Sequence, residues 1–108
     1  MNKENTINDQ SIADWKATWG HIFKSTENDE TYVWRQLRRK EYVEIMSEIP
    51  DTEEEDPIFK RQDRIVELTV LFPANIKELI AEKAGLALGL SDQIMAKSGF
   101  TSLNTEEL

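Results

Sequence analysis

The chain has no cysteine, a single histidine, three prolines and four glycines among its 108 residues. Without cysteine, disulfides and thiolate metal sites are both excluded, which suits a reducing compartment. With His21 as the one imidazole, a nucleophile–base pair has one possible base, and no serine or threonine is spaced to use it. His21 reads instead as a strand or turn residue with its ring in solvent. The glycines at 20, 85, 89 and 99 are isolated, so there is no dinucleotide or Walker loop to cradle a phosphate. No apolar run approaches the ~20 residues that cross a bilayer. Residues 1–10 are polar and lack the apolar core of a secretion signal, so a cytosolic site of action is expected. Positive charge is scarce too: 13 Lys and Arg face 21 Asp and Glu, a formal charge of −8. Such a chain is repelled by phosphate backbones unless its cations are locally concentrated, and solubility is the simplest use of the acids.

What is present is a series of punctuated amphipathic segments. A chain of this size holds one core, and 39% hydrophobic with 31% charged residues predicts a thin one. The expected organisation is a flexible stretch over 1–10, a single small helical domain over 11–100 and a flexible acidic tail over 101–108. An acidic linker at 51–56 interrupts the domain. Ser11 and Asp14 resemble a capping box, and Ile12, Trp15 and Trp19 then share one stripe of a short helix that Gly20 ends. The segments around Ile22-Phe23 and Tyr32-Val33-Trp34 are β-branched and aromatic, with a polar turn between them, and predict a β-hairpin. A helix running on through Phe23 is the competing reading.

Tyr42, Ile45, Met46 and Ile49 recur at helical spacing up to Pro50. Asp56 and Pro57 suit a helix cap and first position, and Ile58, Ile65, Leu68 and Phe72 predict a helix continuing to Pro73. Ile76, Leu79 and Ile80 mark a short helix closed by Gly85. Leu86, Leu90 and Ile94 mark another, ending at Lys97-Ser98-Gly99. Gly89 inside it either weakens the helix or permits close packing. The fold class expected is mostly α (α+β): four or five short helices with a small N-terminal hairpin.

Three groups invite a chemical reading. The acids at 51–56 lack the Asp-x-Asp-x-Asp-Gly spacing of a calcium loop and fit a solvated linker. Asp63 and Glu67, one helical turn apart, are explained by surface ion pairing with Lys60 and Arg64 better than by a metal. Arg35, Arg38, Arg39 and Lys40 form the basic cluster, with Tyr32, Trp34 and Tyr42 around it. Interleaved aromatics and arginines can stack bases and neutralise phosphates. They are also the side chains most enriched at protein–protein hot spots, and the net charge favours that reading over nucleic acid. Trp34 can equally be plain core, and Trp15 and Trp19 read as core.

Read in order, Trp-x3-Trp-Gly-His-Ile-Phe (15–23), Tyr-Val-Trp-Arg-Gln-Leu-Arg-Arg-Lys-Glu-Tyr (32–42), Ile-Val-Glu-Leu-Thr-Val-Leu-Phe-Pro (65–73) and the segment from Ala84-Gly85 to Ser98-Gly99-Phe100 resemble small tail-assembly or baseplate-assembly proteins of large tailed bacteriophages. Arg35, Arg39, Glu41 and Tyr42 match that pattern most closely. The resemblance implies a non-enzymatic assembly chaperone in the host cytoplasm that holds a phage structural protein, such as a tape-measure, hub or baseplate component. It implies no catalytic residue, metal or cofactor. The expected partner-binding residues are Tyr32, Trp34, Arg35, Arg38, Arg39 and Tyr42, together with Phe59 and Phe72 left partly exposed. A minor structural subunit of the virion fits the same pattern. A small acidic regulator of a host protein, its carboxylates imitating phosphates, is a third reading. Oligomerisation is compatible with any of them.

Overall fold

Asn8 opens the first element. In the computed structural model, which describes residues 7–27, 29–50, 57–100 and 106–108, the Asn8 side chain accepts the Ser11 N–H at 2.8 Å. That is the bond an N-cap makes to a first turn, and helix α1 runs over Asp9–Trp19. The helix therefore starts one turn before the expected capping box at Ser11. Asn8 caps it and the Asp9 carboxylate suits its positive end. Gly20 closes it at φ +83, a left-handed backbone that other residues resist. The expected acidic linker at 51–56, residues 1–6 of the N-terminal stretch and residues 101–105 of the tail lie outside the described residues.

Strands β1 (Ile22–Glu27) and β2 (Glu30–Arg35) form the antiparallel hairpin, pairing Phe23 with Trp34 and Ser25 with Tyr32. Apolar spacing as far as Phe72 overstates the length of the central helix. Helix α3 spans Pro57–Thr69, and Val70–Phe72 is a third strand, β3, antiparallel to β2. The Thr69 hydroxyl donates back to the Ile65 carbonyl at 2.7 Å and closes the last turn. The next three residues, β-branched, aliphatic and aromatic, suit a pleated surface. The open side of β2 then supplies the backbone partners that a continued helix would have supplied internally. The sheet order is β1-β2-β3, with a bulge between Val33 and Trp34.

Alternation along β2 decides the layers. Tyr32 and Trp34 share one face with Phe23 and Ser25, and Trp34 stacks on Phe23 at 4.8 Å between centroids. That face meets helices α3 and α5 (Leu86–Lys97) around Ile65, Val66, Leu90 and Ile94. Val33 and Arg35 occupy the other face, which α1 covers: Trp19 lies against Arg35, and Trp15 contacts Phe72, the cross-strand partner of Val33. Helices α2 (Arg39–Glu48) and α4 (Ile76–Glu82) flank α3. The end of α5 is tied to the β2–α2 connection. Gln36 Nε2 donates to the Lys97 carbonyl and the Leu37 N–H donates to Ser98 Oγ, both at 2.8 Å.

The described residues thus hold five helices and one three-stranded sheet around a single core. No described helix is long and apolar enough to cross a membrane. Ile94 is completely buried and Leu88, on the same helix, is half exposed. Ile94→Ala is expected to lower the unfolding free energy by about 3 kcal/mol. Leu88→Ala should change it by less than about 0.5 kcal/mol. Urea denaturation of the two variants checks the assignment of the core face.

Candidate functional site

The basic, aromatic segment at 32–42 splits between core and surface. Tyr32 is 1% exposed, and Trp34 and Arg35 are each 3% exposed. The Arg35 guanidinium makes a bidentate pair with Glu41, Nη1 to Oε1 at 2.8 Å and Nη2 to Oε2 at 2.7 Å. Nη1 also donates to the Gln36 carbonyl, and Nη2 to the Leu68 carbonyl in the last turn of α3, each at 3.1 Å. A cation at the negative end of a helix is favourably placed, and here it satisfies a carbonyl the helix leaves open. The ring of Trp19 closes the remaining side, 4.0 Å from the guanidinium carbon. Nε of Arg35 is buried without a hydrogen-bond partner among the described residues.

Glu41 has a second task. Its Oε1 accepts the Arg38 N–H at 2.9 Å, capping the first turn of α2. The Arg35 hydrogen bonds hold the Glu41 carboxyl below its ordinary value of 4.5, against the opposing effect of burial, with the Arg38 N–H helping. Arg35 thus joins β2, α1, α2 and α3. Planar, bidentate and always charged, it is a structural residue that lysine cannot replace.

The expected contact face therefore does not exist as one surface. Tyr32, Trp34 and Arg35 point into packed layers because alternation turns them onto the two covered faces of a central strand. Phe72 is half-buried against Trp15, with 6.5 Å between the ring centroids. Trp15 and Trp19, read as core, are only half-buried and shield the outer side of the sheet. Arg38 and Arg39 remain exposed, Arg38 with its guanidinium 5.1 Å from the Trp19 ring. Tyr42 is half-buried and meets Phe100 at 4.7 Å between centroids. Phe59 is 65% exposed.

Tyr42 borders a feature that the sequence does not announce. Between α2, α3 and α5 lies a cleft of about 240 Å³ whose walls include Tyr42, Met46, Ile58, Ile65 and Met95. Arg61, Gln62 and Asp92 edge it. Ile58, in the first turn of α3, is 57% exposed. Phe59 follows it on the outside. Two of the three methionines stand in this cleft, and unbranched thioether side chains adapt their shape to a partner.

Ion pairs elsewhere differ from the expected set. Arg64 reaches Glu48 at 3.6 Å and Lys77 reaches Glu67 at 3.5 Å. Asp63 has its pKa raised by burial and by the neighbouring Glu67 charge. Among the described residues, no group of three or more His, Cys, Asp or Glu is placed to hold a metal ion. His21 is exposed.

The folded-state pKa of Glu41 lies below its unfolded value, so its stabilisation is complete above that unfolded value. It is lost as pH falls through the folded one. Glu41→Gln should cost about 2 kcal/mol near pH 7, by leaving the buried Arg35 charge without its counter-ion. The gap between variant and wild type should narrow as pH falls from neutral through the folded-state pKa of Glu41, below which the carboxyl is protonated in both states. Chemical denaturation across that range checks it, and an equal gap at both ends contradicts it. The chain matches no family model, no curated protein and no solved structure.

Proposed function

We propose that the protein is a non-enzymatic binding module of bacteriophage tail or baseplate assembly. It holds an apolar helical segment of a tape-measure, hub or baseplate protein in the cleft between α2, α3 and α5. The observation that carries the binding reading is the cleft itself, with Met46, Met95 and Tyr42 inside and the exposed Ile58 in its wall. An amphipathic helix laid in such a groove buries its apolar stripe against these side chains, and Arg61, Gln62 and Asp92 orient its polar edges. The phage setting is supported by the resemblance of residues 15–23, 32–42, 65–73 and 84–100 to assembly proteins of tailed phages.

In this reading the Arg35-centred motif shapes the scaffold, and the contact lies on the neighbouring helices. Arg38 and Arg39, exposed at the start of α2, contribute charge near the Tyr42 end of the cleft. The acidic surface keeps a chain with an open apolar groove soluble before its partner arrives. A permanent virion subunit would use the same groove, and the two roles differ in what leaves with the particle. A chaperone is missing from purified particles or far below stoichiometric copy number.

Met46→Gln with Phe59→Ser should leave the helical circular dichroism and thermal midpoint nearly unchanged, since Phe59 is exposed and Met46 lines the groove. Co-expressed with the tape-measure and baseplate proteins of the same phage, the double variant should retain its partner at least about tenfold less well, as loss of an interface anchor implies. Unchanged co-purification removes the groove from the proposal.

A further inference from the structure

The hairpin and α5 enclose a second cavity, of about 210 Å³, that shares no residue with the α2–α3–α5 cleft. It exists because α5 carries Gly85 at its N-cap and Gly89 one turn on. A β-carbon built at either meets nothing within 4 Å. Of the two readings of Gly89, close packing is absent among the described residues, and the space beside it is open. Leu86, Leu90 and the Tyr32 ring give the cavity apolar walls, while Ser25, Glu27 and Gln93 bring oxygens to it. Two of those oxygens are held in place. Trp34 Nε1 donates to Ser25 Oγ at 2.8 Å, and Ser25 Oγ donates to Gln93 Oε1.

A further observation specifies what fits. The cavity is one-sided in charge: no Lys, Arg or His lines it, Glu27 does, and Asp29 and Glu30 follow at the hairpin tip. Apolar walls, hydrogen-bond acceptors and a carboxylate, without a competing cation, match a slender aliphatic chain that ends in a positive donor group.

We propose that this cavity binds an aliphatic cation, a guanidinium or ammonium group on a short apolar stem. The stem lies between Leu86, Leu90 and the open faces of Gly85 and Gly89. The head group donates to the Glu27 carboxylate and to Gln93 Oε1. A free small amine and the Arg or Lys side chain of a partner protein share this chemistry. The site stands independently of the cleft between α2, α3 and α5.

The test titrates the full chain, followed by backbone amide NMR, with three probes: agmatine, an acetyl-Gly-Arg-Gly-amide peptide and the same peptide with citrulline for arginine. Both cationic probes should shift the Gly85, Gly89 and Gln93 amides saturably, with the neutral peptide at least about threefold weaker. Tighter binding of the arginine peptide than of agmatine assigns the site to a partner side chain, and the reverse order to a free amine. Glu27→Gln should weaken agmatine about threefold, the size expected of an exposed ion pair. Gly89→Leu fills the open space and replaces a poor helix former, so it should abolish binding without lowering the thermal midpoint. The Met46→Gln, Phe59→Ser variant should bind both probes as wild type does, which separates this site from the cleft. No saturable shift up to about 10 mM probe, a range in which even weak sites fill, overturns the proposal. So does a Gly89→Leu variant that binds as wild type, or equal binding of the citrulline peptide.

Discussion

One buried guanidinium determines how the layers meet. Arg35 leaves β2 on the face opposite Tyr32 and Trp34, and within one side chain's reach it finds Glu41, the Gln36 and Leu68 carbonyls and the Trp19 ring. A buried charge is tolerated when it is paired and hydrogen-bonded. Here four segments of the chain supply partners to both Nη groups and to the guanidinium face, while Nε has none among the described residues. The start of α2, the end of α3 and the position of α1 are mutually constrained through this group. Glu41 extends the constraint by capping the helix it belongs to. Apolar burial supplies the bulk of the stability, as in any small domain. The arginine selects which arrangement of the helices that burial stabilises.

This has a consequence for where the protein meets others. Tyr32, Trp34 and Arg35 are consumed by the fold, and Arg38, Arg39 and Tyr42 are what that segment leaves to the surface. Along α2, α3 and α5 that surface offers methionines and exposed aliphatic and aromatic side chains around a cleft. Beside the hairpin it offers a glycine-floored cavity edged by a carboxylate. The two share no lining residue, and the scaffold holds them at separate places.

Much of this architecture is legible in the chain. Gly20, Pro50 and Gly99 stand at or just beyond the ends of α1, α2 and α5, and Pro57 is the first residue of α3. The hairpin is foreshadowed by two β-rich segments around a polar turn. β3 is not legible, because Val70–Phe72 continues the apolar spacing of α3, and only the unpaired side of a strand distant in sequence makes it extend instead. Ile58 shares the spacing of Ile65 and Leu68 yet is 57% exposed, in the wall of the cleft. The site was harder to read than the fold. Arginine beside aromatics has the same composition in a hot spot and in a buried helix cap, and only the positions of the Leu68 carbonyl and Glu41 distinguish them. The two cavities have still weaker signatures, since one depends on two methionines from different helices and the other on the space beside two glycines.

If Arg35 organises the layers, residues that touch it from different elements must depend on one another. Trp19 and Glu41 sit on separate helices and meet through the guanidinium between them. A double-mutant cycle of Trp19→Leu and Glu41→Gln, followed by urea unfolding near pH 7, measures that dependence directly. The arrangement predicts a coupling of about 1 kcal/mol or more. Additive losses, with coupling below about 0.3 kcal/mol, would mean that the two helices are held independently and that the arginine organises nothing.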